Sequence, residues 1–290
     1  MDDAGTVSRF APAKINLYLH VTGRRPDGYH LLDSLVAFAS VGDSVSVRAA
    51  SVTTLAVEGP FAAGLPAGAD NLVRRAADLL GKGRGAALRL VKNLPVASGI
   101  GGGSSDAAAC LLALRDLWRG GESDADLAAL GLSLGADVPA CLLRRPLRLS
   151  GIGEGTGEAP ALPAAQLVLV NPGVPLATPA VFAAFRSGGS GFRPPARGEP
   201  AFGSVAVLAS WLRGQHNDLE PAARFLAPPV DVALAALRAQ PGCLLARMSG
   251  TGATCFGLFP TPLSAQRAAA QIAKAEPDWW SVPATWYAEG

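Results

Sequence analysis

The sequence predicts an α+β chain folded as two domains, and three observations carry that prediction. Its 290 residues exceed what one hydrophobic core comfortably organises. Short strand-like runs share the chain with longer helical runs that end at glycines. Beyond Gly157 the texture changes, and the rest reads as a small layer of helices on one face of an antiparallel sheet. The domains are therefore expected at 1–157 and 158–290.

In chain order, residues 14–21 alternate: Ile15, Leu17, Leu19 and Val21 are apolar, while Lys14, Asn16, Tyr18 and His20 are more polar, the period of a strand. Lys14 and Asn16 then project from one face. Residues 44–48, 53–57 and 87–91 read as further strands. Asp70 is placed to cap a helix carrying Leu72, Val73, Ala76, Leu79 and Leu80, which Gly81 ends. A second helix is expected from about Ser104 through Leu111, Leu112 and Leu114 to Trp118, stopped by Gly120 and Gly121, and a third over 124–134. A strand at 166–170 precedes a Pro- and Gly-rich loop at 187–200, read as a surface insertion. Helices at 205–212 and 232–239, a strand, a tight glycine turn, a strand ending near Phe259, a helix at 264–274 and a terminal strand complete the chain. No repeat of solenoid length occurs.

Charged residues are 17% against 49% hydrophobic, a globular rather than a disordered composition. The net charge is +2 and no basic run or aromatic-interleaved patch occurs, so no nucleic-acid partner is expected. No apolar stretch reaches the roughly 18 residues that span a bilayer. The opening MDDAGTVSRF lacks the positive and apolar regions of a secretion signal. A cytoplasmic protein without a membrane partner, monomeric or weakly dimeric, is the expectation. Cys110, Cys141, Cys243 and Cys255 lie far apart in apolar surroundings, with no C-x-x-C and no histidine at ligand spacing. Buried reduced thiols are expected, and no protein metal site.

The densest chemical signal is Leu94-Pro95-Val96-Ala97-Ser98-Gly99-Ile100-Gly101-Gly102-Gly103-Ser104-Ser105-Asp106-Ala107. Its glycines let an anion approach main-chain N–H groups closely. The helix that follows points its positive dipole end and unpaired N–H groups at whatever occupies the turn, and Ser104 and Ser105 add hydroxyl donors. This is the physics of a polyphosphate site built from residues 95–105. A flexible surface loop capped by Ser104 is the alternative. Neither G-x-x-x-x-G-K-[ST] nor the dinucleotide spacing G-x-G-x-x-G is met. Two other segments point at the same chemistry. Lys14 is a lone cation in apolar Ala11-Pro12-Ala13-Lys14-Ile15-Asn16-Leu17, unless it is a solvated edge residue. Asp137 precedes Val138-Pro139, where proline suits a first helical turn, unless it is an ordinary N-cap.

Pro12-Ala13-Lys14-Ile15-Asn16-Leu17, Arg25-Pro26-Asp27-Gly28-Tyr29-His30, the turn at 95–105, Gly135-Ala136-Asp137-Val138-Pro139 and Ser249-Gly250-Thr251-Gly252-Ala253 together resemble the GHMP kinase superfamily, over nearly the whole chain. Gly28-Tyr29-His30 points to its branch acting on cytidine diphosphate-linked methylerythritol in non-mevalonate isoprenoid synthesis. The resemblance implies an N-terminal mixed α/β domain like domain 2 of ribosomal protein S5 and a C-terminal ferredoxin-like α+β domain. It implies ATP and Mg²⁺, with transfer of the γ-phosphoryl group to the 2-hydroxyl of the acceptor. Asp137 would be the base, and Lys14 would orient it, lower its pKa and stabilise developing charge.

The same resemblance implies that Tyr29 and Phe182 stack on cytosine and that His30 hydrogen-bonds it. Asn16 would reach the methylerythritol hydroxyls, and Thr178, in Thr178-Pro179-Ala180-Val181-Phe182, joins the acceptor set. Core packing is the alternative for Tyr29 and Phe182. Asn71 and Lys92 resemble adenine-contacting positions, which a helix cap and a solvated strand end explain equally well. Residues 249–253 would be a second glycine turn facing the phosphates, or a simple hairpin, and 151–157 a hinge or turn. The 187–200 loop matches no motif of the superfamily. A kinase acting on homoserine or mevalonate, or a catalytically silent nucleotide-binding regulator, is the alternative function.

Overall fold

The computed structural model describes residues 5–189 and 191–288. Residues 1–4 of the opening decapeptide and residue 190 of the 187–200 loop lie outside them. The chain forms β1 (Thr6–Asn16), β2 (His20–Arg24), β3 (His30–Ala50), β4 (Thr54–Glu58), α1 (Leu72–Gly81) and β5 (Gly85–Val91). It continues through α2 (Gly102–Trp118), α3 (Asp124–Leu134), α4 (Val138–Leu143), β6 (Leu147–Ser150), β7 (Gly155–Glu158) and β8 (Gln166–Asn171). Then come α5 (Thr178–Ser187), α6 (Val205–Arg213), α7 (Glu220–Leu226), α8 (Pro229–Arg238), β9 (Leu245–Met248), β10 (Cys255–Phe259), α9 (Pro262–Ala275) and β11 (Trp280–Thr285). These elements cluster into two compact units interleaved along the chain. The first holds the chain up to Ala13, Val41–Val96 and Gly101–Arg144; the second holds Lys14–Ser40, Ala97–Ile100 and the chain from Arg145 onward.

In the first unit β5 pairs parallel with β4 and antiparallel with the end of β3, from Ser44 opposite Val91 to Ala50 opposite Gly85. Helices α1 to α4 pack on one another. α1 buries Val73, Ala76, Ala77 and Leu80, a single stripe of a 3.6-residue period. Asn71, not Asp70, caps it: the Asn71 side-chain oxygen accepts from the Val73 N–H at 2.9 Å. α2 has no such stripe, because every residue from Ser105 to Leu114 is buried. Small alanines let its neighbours close in on all sides. Gly42 lies in β3, which pairs with β1; a Cβ there would overlap the Ala11 carbonyl, so only glycine permits the approach.

In the second unit β6 pairs with the first half of β3 and with β7, and β2 folds back on β3 with a bulge between Val21 and Gly23. A separate antiparallel sheet has the order β11-β8-β10-β9. With helices between β8 and β9 and α9 between β10 and β11, this is the ferredoxin-like βαββαβ arrangement. Its core gathers Val168, Val170, Leu234, Leu237, Met248, Phe259 and Ile272. The 187–200 loop is not loosely inserted. The Ala196 N–H donates to Asp33 at 2.7 Å, the Arg193 N–H to the Val21 carbonyl at 2.9 Å, and Glu199 pairs with Arg148 at 2.5 Å.

Several sequence expectations change. The strand expected over 14–21 is interrupted: β1 stops at Asn16 and β2 opens at His20. Every residue from Ala11 to Val21 is buried, so the alternating polarity marks two covered faces instead of a wet one. β3 runs far beyond 44–48, because its stretch Leu35-Val36-Ala37-Phe38-Ala39 is buried throughout and a continuous apolar run shows no strand period. α5, α7, β6 and β7 are additional; β7 follows the turn that begins the 151–157 run. Cys110, Cys141 and Cys255 are buried, but Cys243 is only partly buried.

Gly42→Ala is expected to destabilise the chain by roughly 1–3 kcal/mol in urea unfolding. Gly121→Ala, where an added Cβ meets nothing within 4 Å, serves as the neutral control.

Candidate active site

In the first unit the glycine segment is itself the start of a helix. α2 begins at Gly102, two residues before Ser104, and its N-cap is Gly101 in the left-handed region at φ 64° with no side-chain cap. The first turn carries no acidic residue. Its N–H groups and dipole are thus available to an anion. A Cβ on Gly102 would come to 3.0 Å from the Lys92 ammonium, a tight contact to which the lysine end would have to yield. Ser105 is turned away: its hydroxyl donates to the Pro12 carbonyl at 2.8 Å, and it is buried. Ser104 remains partly exposed. Two further candidate segments border this helix start. A Cβ on Gly103 would lie 3.5 Å from Leu72, next to Asn71, and one on Gly135 would lie 3.9 Å from the Ser104 hydroxyl. Asn71 itself is occupied as the α1 cap and as a donor to the Pro66 carbonyl at 2.8 Å.

Lys92 is not a solvated strand end. Its buried ammonium bonds Asp43 and, at 2.7 Å, Asp106 of α2. The other Asp43 oxygen accepts from the Asn93 and Leu94 N–H groups at 2.5 and 2.8 Å. One cation and two carboxylates therefore fasten the exit of β5 to β3 and to α2. Burial works against the Lys92 charge, but Asp106 and Asp43 outweigh it and hold its pKa above the usual lysine value. Burial pushes the Asp106 carboxyl up to about 8; Lys92 opposes that rise and Asp43 adds to it. Its other oxygen has no hydrogen-bond partner among the described residues, a place for the proton. The sequence offered one signal for this cluster: aspartates set in the apolar contexts of Val41-Gly42-Asp43 and Asp106-Ala107-Ala108. Asp137 opens α4, with Pro139 in the first turn as expected, yet its side chain makes no cap bond, so an ordinary N-cap does not account for it.

In the second unit, residues far apart in sequence converge. The Lys14 N–H donates to the Ile100 carbonyl at 2.9 Å, and its buried ammonium lies 3.3 Å from the Asn16 side-chain oxygen. Lys14 is therefore no solvated edge residue. The Asn16 N–H donates to the Ser249 hydroxyl at 3.1 Å, which donates to the Gly99 carbonyl at 3.1 Å; the Asn16 amide donates to Ser34 at 2.8 Å. Residues 97–100 are pinned by the Thr254 N–H donating to the Ser98 carbonyl at 3.0 Å and the Leu176 N–H donating to the Ala97 carbonyl at 3.4 Å. The segment 249–253 links the antiparallel strands β9 and β10, so it is a hairpin, and one packed on the first glycine run.

His30 stacks on Phe182 with ring centroids 4.8 Å apart and planes 18° from parallel. Burial, then Arg186 and Arg24, lowers the His30 pKa and keeps the ring neutral at neutral pH. Its Nε2 is buried without a hydrogen-bond partner among the described residues. Tyr29 is 61% exposed, so core packing does not explain it. The Thr178 hydroxyl lies 3.2 Å from that of Thr251. Among the described residues no group of three His, Cys, Asp or Glu side chains could hold a metal ion, and no helix is long and apolar enough to cross a membrane.

Residues 71–145 match the family model described as GHMP kinases N terminal domain, and residues 200–278 the one described as GHMP kinases C terminal. The chain is 56% identical over 277 residues to the 4-diphosphocytidyl-2-C-methyl-D-erythritol kinase of Cereibacter sphaeroides, covering 95% of this chain and 97% of the relative. It is 50% identical over 287 residues to the kinase of the same name from Brucella melitensis, covering 96% and 94%. A crystal structure of 4-(cytidine 5'-diphospho)-2C-methyl-D-erythritol kinase superposes with a TM-score of 0.77 at 36% identity, covering 97% of this chain and all of the other.

Because the Asp106 proton is bound in the folded chain at pH values where the unfolded chain has lost it, stability should fall as pH rises from about 4 toward about 8. Asp106→Asn removes that titration. Melting temperatures from about pH 6 to 9 are expected to decline less in the variant than in the wild type; parallel curves would rule the assignment out.

Proposed function

Because the chain belongs to the 4-diphosphocytidyl-2-C-methyl-D-erythritol kinase family of the GHMP kinases, we propose that it transfers the γ-phosphoryl group of ATP to the 2-hydroxyl of 4-diphosphocytidyl-2-C-methyl-D-erythritol, releasing ADP. The observation that carries the reading is the opening of α2. A glycine-lined helix start, without a side-chain cap or a first-turn carboxylate, fits the polyphosphate of a nucleotide. Residues 95–105 are its binding segment, with Asn71 and Lys92 at the nucleotide's other end, Lys92 by its main chain because its ammonium is committed to Asp43 and Asp106. Mg²⁺ shares its ligands between phosphate oxygens and a few protein groups, and the partly exposed Ser104 hydroxyl suits it; when bound it neutralises charge on the transferring group.

Phosphoryl transfer asks the protein mainly for positioning and charge neutralisation. Asp137, whose side chain is not spent on capping its helix, takes the proton of the acceptor hydroxyl. Lys14 supplies a cation that stabilises developing charge. Buried neutral His30, with an unpartnered ring nitrogen, offers a hydrogen-bonding edge to cytosine. Exposed Tyr29 and the Phe182 ring offer stacking surfaces. Asn16 and Thr178 serve the methylerythritol hydroxyls. One family model falls on each side of the expected division at 1–157 and 158–290, whereas the compact units interleave, with Lys14–Ser40, Ala97–Ile100 and Arg145 onward in the second. The protein acts in the cytoplasm as a monomer or weak homodimer, with neither nucleic acid nor membrane as partner.

A coupled ADP-release assay with Mg²⁺ tests the reading across this acceptor, homoserine and mevalonate; turnover is expected with the first, and turnover with only one of the others sinks the assignment. Asp137→Asn should keep ATP affinity and lose about 10²–10⁴-fold in kcat. Tyr29→Ala should raise KM for the acceptor and leave KM for ATP unchanged.

A further inference from the structure

A cavity of about 840 Å³ opens on the second unit between α5, α6, α7, α8 and β9, within the roughly 300–1,000 Å³ usual for small-ligand sites. None of the residues assigned above to nucleotide or acceptor lines it. Its distinguishing property is charge. Five arginines, at positions 193, 213, 224, 238 and 247, line it with only two carboxylates, Asp218 and Glu220. That excess of three positive charges in one cavity exceeds the net +2 of the whole chain.

The arginines are not equivalent. Arg193 is paired with Asp218 at 2.6 Å and Arg224 with Asp231 at 2.5 Å. Arg247 is 7% exposed. Its guanidinium donates to the carbonyls of Leu17, Leu212 and Gln215 at 2.7, 2.7 and 2.8 Å, and it pairs with no carboxylate among the described residues. Burial, partly relieved by Glu220 and deepened by Arg238, pulls its pKa down to about 10, so it is still charged at neutral pH. Arg213 spends one nitrogen on the Leu244 carbonyl at 3.1 Å. Arg238, exposed on α8, has no hydrogen-bond or ion-pair partner among the described residues. The surplus reaches neighbouring groups: burial, then Arg193 and Arg247, lowers the pKa of His216, and Arg238 counters the rise that burial imposes on the Cys243 thiol. A buried cation without a counter-ion is costly. Guanidinium forks match the oxygens of phosphate.

We propose that this cavity is a second ligand site, apart from the kinase site, that takes a compact oligophosphate anion gripped by Arg213 and Arg238 in the field of the buried Arg247.

Calorimetric titration of the full chain with inorganic pyrophosphate tests this, at low salt because about 0.1 M salt already screens exposed charges beyond roughly 10 Å. Wild-type protein should bind, and Arg213→Gln and Arg238→Gln should each weaken binding about tenfold or more. Arg238→Gln should keep the wild-type melting temperature and rate of ADP release. Since Arg238 makes no hydrogen bond or ion pair among the described residues, that variant decides the matter if Arg213→Gln proves unstable. Absence of binding by the wild type overturns the proposal. So does an Arg238→Gln variant that binds as tightly as the wild type, because the anion then sits elsewhere, the start of α2 included. The acceptor panel reads the kinase function separately, so either idea can fail alone.

Discussion

Two glycine-rich segments about 150 residues apart in the chain meet through the Thr254 N–H donating to the Ser98 carbonyl and the Ser249 hydroxyl donating to the Gly99 carbonyl, and the arrangement of Lys14 and Asn16 depends on that contact. A Cβ on Gly99 would stand 2.5 Å from both the Gly252 nitrogen and the Ser249 carbonyl oxygen. Gly99, Gly250 and Gly252 also hold positive φ angles of 74°, 54° and 82°, which L side chains resist. Steric room and backbone conformation therefore make the same demand. The Ser249 hydroxyl then acts as a relay, accepting from Asn16 and donating to Gly99. The strand carrying Lys14 is located by main-chain geometry rather than by its own side-chain preferences.

Two buried cations, Lys92 and Arg247, show how a fold treats such charges. Lys92 is met by two carboxylates, and its pKa rises despite burial. Arg247 donates to three carbonyls and pairs with no carboxylate among the described residues, and its pKa falls. The first arrangement is closed and structural: it fastens the exit of β5 and the second turn of α2, so the helix start is held from within. The second leaves positive charge unbalanced beside a cavity. Coulombic compensation decides between them, since the desolvation each cation suffers has the same sign.

Helix termini were legible locally. Asp124–Leu134 and the stop of α2 at Trp118 follow from caps and glycines, as does the proline in the first turn of α4. The errors have local causes as well. Asn71 and Asp70 are both good caps, and only the path of the preceding turn chooses between them. The start of α2 lies at Gly102 because Gly101 can adopt the left-handed cap, a conformation no side-chain pattern announces. β3 is obscured by burial on both faces.

By itself the sequence determined the chemistry on offer: a glycine run leading into a helix, a lysine and an aspartate in apolar settings, a Gly-Tyr-His tripeptide and a second glycine turn. These are properties of residue type and short spacing, which propensity and sterics translate directly. Tertiary structure decided which of them meet. It placed Asn16 on Ser249 and Ser249 on Gly99, His30 on Phe182, and Asp43 with Asp106 around Lys92. It also gathered five arginines from separate segments around one cavity. The reason is physical: pairing across 14 to 233 residues is set by burial and by hydrogen-bond satisfaction summed over the whole unit, quantities that no local stretch of chain contains.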